Sequence, residues 1–278
     1  MSILKNNPDQ YFVLGNPIGH SKSPQIHRHF AEQTNQSILY DAKLIELGCF
    51  VDRVNAMRHT NVGGINITVP FKQQAYDLAD KLSPSAALAG AVNTLTFVDG
   101  KLFGDNTDGI GLVKDLIVNH SFDFFDKDVL LLGAGGAVRG ILEPIIKQQP
   151  KSITIANRTE DKASELSRLF CDLFEIKVVQ YEAIQTSYDL IINGTSASLQ
   201  GQLLPIPDCA VSANSYLYDM MYSAVPTVFN KWGANLGAKK TIDGLGMLVE
   251  QAAQSFYIWR SIMPETKVLI AGLRSQLS

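Results

Sequence analysis

An unbroken apolar run, Asp-Val-Leu-Leu-Leu at 128–132, passes directly into Gly133-Ala134-Gly135-Gly136-Ala137-Val138-Arg139 and then into a helix-compatible stretch reaching Ile146. A run of this length without polar alternation reads as a strand covered on both faces. Gly133 permits the tight turn that leaves the strand, and Gly135 lets the backbone approach a pyrophosphate. The helix that follows offers free N–H groups and a positive dipole end to the same anion. A glycine-rich turn alone is often only a turn; placed between strand and helix inside a βαβ series it points to a dinucleotide. The third glycine position holds Val138, which predicts slightly wider packing of helix on strand.

The end of the next strand selects the nucleotide. An NAD site presents an acidic residue there, for the ribose 2′-hydroxyl. Here the strand SITIA ends in Asn157-Arg158-Thr159, with Lys162 one turn into the following helix. Arginine grips a phosphate bidentately, so the pattern predicts NADP. Glu160 and Asp161 are close by, but at a helix start they favour the dipole.

The wider pattern is α/β. Tyr11–Leu14, Ile38–Leu44 and Ile65–Val69 read as strands, with helices over Pro24–Thr34 and Leu47–Thr60 between them. Ala91–Asp105 reads instead as a hairpin around Asp99-Gly100. After 128 come strands at SITIANR, KVVQY, YDLIING and Tyr216–Asp219, with helices over Glu160–Leu173 and Thr227–Gly237. That order is the doubly wound series. A helix over Met247–Trp259 and a shorter one ending at Leu277 close the chain. At 278 residues, two domains are expected.

Composition excludes several classes of function. With 46% hydrophobic and 18% charged residues the chain is neither disordered nor collagen-like. No apolar run approaches the roughly 20 residues that span a bilayer, and the start, MSILKNNPDQYF, carries no secretory pattern, so a cytoplasmic location is expected. Lys plus Arg number 24 against 27 acidic residues, and no stretch forms a basic stripe for nucleic acid. Cys49, Cys171 and Cys209 lie far apart and read as reduced thiols. The five histidines lack ligand spacing, so no metal is expected; they read as surface or capping residues. His27 and His29 fall on different helix faces. Phe256, Tyr257 and Trp259 read as core.

Polar residues gather at the ends of the early strands. Ser21 and Ser23 flank a helix start, which suits a carboxylate, although Ser23 as N-cap before Pro24 would need no ligand. Asn66 and Thr68 stand two apart, Lys72 follows Pro70 in a loop or first helical turn, Asn93-Thr94 interrupts an apolar stretch, and Asp105–Gly109 is polar and turn-prone. Each alone is an ordinary turn or cap. Several at the ends of successive parallel strands mark where α/β ligand sites form.

These segments resemble the shikimate dehydrogenases over nearly the whole chain. The matching stretches are GNPIGHSKSP (15–24), GGINITVPFK (63–72), AGAVNT (89–94), GDNTDG (104–109), GAGGAVR (133–139), NRT (157–159), YDMMYS (218–223) and DGLGMLVEQAAQSF (243–256). The resemblance implies two α/β domains, a Rossmann-type NADP-binding domain over 110–242 and a mixed-sheet substrate domain over 1–109 and 243–278, with the active-site cleft between them. It implies reversible reduction of 3-dehydroshikimate to shikimate by NADPH, in chorismate and aromatic amino-acid biosynthesis. By the same resemblance Ser21 and Ser23 hold the substrate carboxylate, and Asn66, Thr68, Lys72, Asn93, Asp108 and Gln251 surround the ring hydroxyls with Tyr222 nearby. Lys72 and Asp108 form the catalytic pair. Gly133, Ala134, Gly135, Gly136 and Ala137 line the pyrophosphate; Asn157, Arg158, Thr159 and Lys162 take the adenosine phosphate. Thr195, Ser196, Met220, Gly244 and Met247 line the rest of the cofactor channel. The sequence departs from the family pattern at Val138, at Lys162, where arginine is common, and at Gly194.

Oxidation of a hydroxyl by hydride loss requires removal of one proton, and Lys72 paired with Asp108 is placed to exchange it. A carboxylate neighbour favours ammonium and desolvation favours amine, so Lys72 reads either as acid–base or as electrostatic anchor. The expected partner is a small molecule, with a monomer or homodimer as the assembly. Alternatives are a quinate/shikimate dehydrogenase with broader substrate or NAD use, and a non-catalytic NADP-sensing protein. The latter has no reason to keep both Lys72 and Asp108.

Overall fold

A computed structural model describes residues 8–277 of the chain. Residues 1–7, where the reading for a targeting signal begins, lie outside the described residues. The elements in order are β1 (Asp9–Gly15), α1 (Ser23–Thr34), β2 (Ile38–Leu44), α2 (Phe50–Met57), β3 (Val62–Ile67), α3 (Lys72–Leu78), β4 (Lys81–Leu82), α4 (Pro84–Ala89), β5 (Thr94–Val98) and β6 (Lys101–Asp105). There follow α5 (Asp108–Lys114), which runs into a π-helical turn at Asp115–Asn119, then β7 (Asp128–Leu132), α6 (Gly136–Ile146), β8 (Ser152–Ala156), α7 (Glu160–Leu169), β9 (Ile176–Val179) and β10 (Leu190–Asn193). The chain ends with β11 (Tyr216–Asp219), α8 (Val228–Asn235), β12 (Lys240–Asp243), α9 (Leu245–Arg260) and α10 (Lys267–Leu277).

These elements fall into two compact units. One holds residues 8–108 and Val249–Leu269, the other Gly109–Leu248 and residues 270–277. Residues 243–248 and 270–277 thus cluster with the second unit rather than with the first. β12 pairs in parallel with β11, and Arg274 of α10 grips the Asp243 carboxylate with both guanidinium nitrogens.

The first unit is built on a six-stranded sheet of order β2-β1-β3-β5-β6-β4. β1 pairs in parallel with β2 and β3, while β3–β5 and β5–β6 are antiparallel, so the sheet is mixed. The antiparallel turn is short because Asp99 and Gly100 both take positive φ, 50° and 74°, the geometry that matches strand twist in a two-residue hairpin. Between β3 and β5 the chain forms α3, β4 and α4, which carry only a faint apolar period. One core packs Phe12, Leu14, Ile65, Ile67, Phe71 and Leu95. Trp259 of α9 packs tilted against Tyr11 and donates its indole N–H to the Leu95 carbonyl. Phe256 is fully buried, but Tyr257 is exposed, because it falls on the outer side of the same helix.

The second unit has the order β12-β11-β10-β7-β8-β9, all parallel. Counted from β7, this is the 3-2-1-4-5-6 arrangement, with the order reversing between β7 and β10. Val129 to Leu132 are fully buried, as an apolar run covered on both faces should be. The loops after β7 and β10 therefore leave adjacent strands at the switch point, where such sheets bind ligands.

Candidate active site

In the first unit the polar residues named above converge. Lys72 is the first residue of α3 and Asp108 the first of α5; Lys72 Nζ lies 2.5 Å from Asp108 Oδ2. Both are half-buried, which strengthens the pair relative to one in open water. The other carboxylate oxygen, Oδ1, accepts from Asn93 Nδ2 at 2.8 Å. Asn93, buried just before β5, cannot turn its amide over. Its Oδ1 accepts the Thr107 backbone N–H at 2.9 Å, which leaves Nδ2 for Asp108. Gln251, on α9, reaches the same cluster, with Oε1 3.4 Å from Asn93 Nδ2.

Asn66, on β3, is buried and fully engaged. Its Oδ1 accepts from the Tyr40 hydroxyl at 2.7 Å, and its Nδ2 faces Thr94 Oγ1, Ser255 Oγ and the Asn93 carbonyl at 3.0–3.2 Å. Ser21 and Ser23 lie at the start of α1. The helix begins at Ser23 itself, after Lys22 with no side-chain cap, so Ser23 does not serve as the N-cap. Ser23 is buried, and its N–H donates to the Ser21 hydroxyl at 3.3 Å. Thr68, just beyond β3, is half-buried and its N–H is bound to the Leu14 carbonyl.

Beneath these serines lies a histidine that the sequence reading misplaced. His27 is neither surface nor cap: it is wholly buried, stacked on Tyr40 with ring centroids 4.0 Å apart. Neither ring nitrogen is hydrogen-bonded. Burial pushes its pKa down to about 3, so the ring is neutral. Tyr40 and Ser255 were not singled out from sequence, and Thr94 and Thr107 only as parts of the polar stretches around Asn93 and Asp108. Ser255 stands one helical turn after Gln251, and that i, i+4 spacing is the signal that could have found it.

In the second unit Gly133 takes φ +104°, out of reach for most side chains, and its N–H bonds the Ala156 carbonyl. A Cβ at Gly135 or Gly136 would meet nothing within 4 Å, so the turn is open to an incoming group. The N-terminus of α6 has no side-chain cap, leaving its N–H groups for an anion. Arg158, Thr159 and Lys162 are exposed, and among the described residues no carboxylate pairs with Arg158 or Lys162. Asn157 is tied back to the Thr159 carbonyl at 2.7 Å. These residues fit a dinucleotide with an extra phosphate.

Across the switch point Thr195 is fixed by Asn193, which accepts from both its N–H and its hydroxyl; Ser196 beside it is exposed. Gly244 lies against the Met220 backbone, where a Cβ would come within 2.2 Å of the carbonyl. Met247 is buried and Tyr222 half-buried, with its phenol pushed upward by burial. The room for Val138 comes from Gly194: a Cβ there would sit 2.4 Å from Val138 Cγ2. The two departures from the family pattern thus form one compensated contact. Asp219, at the end of β11, is a buried carboxylate that the sequence reading passed over. It holds Asn193, Thr227 and the Met221 N–H.

A doubly wound parallel sheet with an open glycine turn and an arginine at the second strand end defines an NADP-type dinucleotide-binding protein, and the first unit supplies a lysine–carboxylate pair ringed by amides and hydroxyls. Three family profiles match the chain: the shikimate dehydrogenase substrate binding domain at residues 13–95, shikimate/quinate 5-dehydrogenase at 116–201, and the shikimate 5′-dehydrogenase C-terminal domain at 244–271. The shikimate dehydrogenase (NADP(+)) of Hydrogenovibrio crunogenus is 52% identical over 270 residues, covering 96% of this chain and 98% of its own. Among solved structures, an Ael1 enzyme from Pseudomonas putida superposes with TM-score 0.91 at 41% identity, covering 97% of this chain and 98% of its own. The shikimate 5-dehydrogenase of Thermus thermophilus in complex with NADP(H) and shikimate does so with TM-score 0.87 at 29% identity, covering 96% and 99%. The chain belongs to the shikimate dehydrogenase family.

Proposed function

We propose that this chain interconverts 3-dehydroshikimate and shikimate with NADP(H), and that Lys72 and Asp108 exchange the proton at the reacting oxygen. Family membership carries the reaction class and the cofactor. The assignment of residues rests on one observation: Lys72 Nζ is 2.5 Å from one carboxylate oxygen of Asp108, and the other oxygen is held by Asn93. The nicotinamide, when bound, supplies the hydride chemistry. The protein orients the ring and handles one proton. In the oxidative direction the substrate hydroxyl loses its proton to the Lys72–Asp108 pair; in the reductive direction the pair returns it to the carbonyl oxygen as the hydroxyl forms.

Ser21 and Ser23 take the carboxylate in this reading, with Thr68, Asn93, Gln251 and Tyr222 about the ring hydroxyls. The first unit takes the substrate and the second takes the cofactor through the Gly133–Ala137 turn, Arg158 and Lys162. The reading includes a cytoplasmic enzyme, monomer or homodimer, acting on a small molecule with no nucleic-acid partner; the balance of 24 basic against 27 acidic residues supports the last. Among the described residues no helix is long and apolar enough to cross a membrane. The test is cofactor reduction measured with shikimate and with quinate, each with NADP or NAD. Turnover of shikimate with NADP alone is expected. No turnover of shikimate with either cofactor overturns the reading, and comparable turnover of quinate or use of NAD replaces it with the broader enzyme.

A further inference from the structure

The hydrogen bonds about Asn66 run in one direction. The Tyr40 hydroxyl donates to Asn66 Oδ1 at 2.7 Å. Asn66 cannot be turned over, because its Nδ2 faces the Asn93 carbonyl, which only accepts. That Nδ2 also donates to Thr94 Oγ1 at 3.1 Å. Thr94 in turn donates to Asn93 Oδ1 at 2.8 Å, and Asn93 donates to Asp108 Oδ1 at 2.8 Å. Lys72 donates to the far oxygen of the same carboxylate. Every amide along this path has one orientation only, and Asn66, Asn93 and Thr94 are all buried. The start of the path is equally fixed. Burial holds the Tyr40 phenol in its protonated form, and its ring is stacked on His27. Ser255 Oγ accepts from Asn66 Nδ2 at 3.0 Å and lies 2.8 Å from Thr94 Oγ1. Either hydroxyl can donate in the second contact, and the path runs one way when Ser255 is the donor there.

We propose that Tyr40, Asn66 and Thr94 are positioning residues, a one-way hydrogen-bond relay that sets the Asn93 amide and so aims the Asp108 carboxylate at Lys72. Asn66 then serves the reaction without touching substrate, since its two N–H groups are already spent on protein acceptors. Donors aligned in series polarise one another, so removing a middle link loosens the links beyond it. The relay rests on Lys72 and Asp108 being the proton-exchanging pair.

The test is steady-state kinetics of Thr94→Val, Thr94→Ser and Tyr40→Phe. Thr94→Val keeps the shape and removes the hydroxyl; kcat is expected to fall about tenfold, the worth of one hydrogen bond to a charged-group network, with KM for shikimate within about threefold. Thr94→Ser restores kcat, and Tyr40→Phe moves kcat the same way by less. Wild-type kcat in Thr94→Val, or a raised KM at unchanged kcat, overturns the relay. Should Thr94→Val not fold, Tyr40→Phe against wild type decides on the same two constants. Lys72→Ala separates the layers. If it stays active, the proton-pair reading fails; if it is inactive while Thr94→Val is unimpaired, only the relay fails.

Discussion

The two sites of this chain are built in opposite ways. In the first unit nearly every polar group about Lys72 and Asp108 is already bonded to another protein group, and the amides have one orientation each. In the second, the residues assigned to the nucleotide stand open: Gly135 and Gly136 face space, the α6 N-terminus is uncapped, and Arg158 and Lys162 have no carboxylate partner among the described residues. The difference follows from the task. Proton exchange needs a fixed geometry at one atom, and preorganised dipoles provide it without reorganisation. A phosphate brings its own charge and needs only donors free to meet it.

Perturbing the rigid site should cost turnover, and perturbing the open one should cost affinity. The largest effect is expected at Lys72. Lys72→Ala should lower kcat by about 10²–10⁴-fold, the usual worth of a positioned acid–base group, with KM for shikimate little changed. A raised KM at retained kcat would make Lys72 a binding residue and erase the contrast. Next comes Arg158→Ala, for which KM for NADP should rise about tenfold or more, one or two charge-assisted hydrogen bonds, with kcat held. An unchanged KM for NADP would mean that Arg158 is a solvated surface residue.

How much of this was legible from sequence differs between the two sites for the same reason. A nucleotide site made of a turn and strand ends is local: Gly133 to Val138 and Asn157 to Thr159 are contiguous, and their meaning depends on the elements beside them. The apolar run at 129–132 and the β-branched Ile153-Thr154-Ile155 place it. The substrate site is assembled from β3, α3, β5, α5 and α9, and its inner partners, Tyr40, Thr94, Thr107 and Ser255, are ordinary residues until the sheet brings them together. His27 was misread because a polar residue on an amphipathic helix is usually outside; here it replaces an aromatic core residue. The helices α3 and α4 escaped notice because seven and six residues offer too little period.

A third prediction turns on the floor of the open site. Gly194→Ala should destabilise the chain by about 1–3 kcal/mol, because the new Cβ would sit 2.4 Å from a methyl of Val138, which is fully buried. Val138→Ala in the same chain should recover most of the loss, and a double-mutant cycle by urea unfolding reads the coupling. Additive losses would mean that the turn moves as freely below as it does above.

The last prediction concerns the rigid site and acid. The folded pKa of His27, about 3, lies below the 6.5 of an ordinary imidazole because burial disfavours the cation. The unfolded chain therefore binds the extra proton first, and stability falls as pH drops from about 6.5 toward about 3, by up to roughly 1.4 kcal/mol per pH unit. His120, pushed down to about 4 chiefly by burial, adds a slope of the same sign. His27→Phe keeps an aromatic ring against Tyr40 and removes the titration. Urea unfolding between pH 4 and pH 7 should then show a shallower but not flat dependence, with the His120 share left. An identical slope in wild type and variant would mean that the ring stacked beneath the relay is reached by solvent, and the first site would be less rigid than its hydrogen bonds describe.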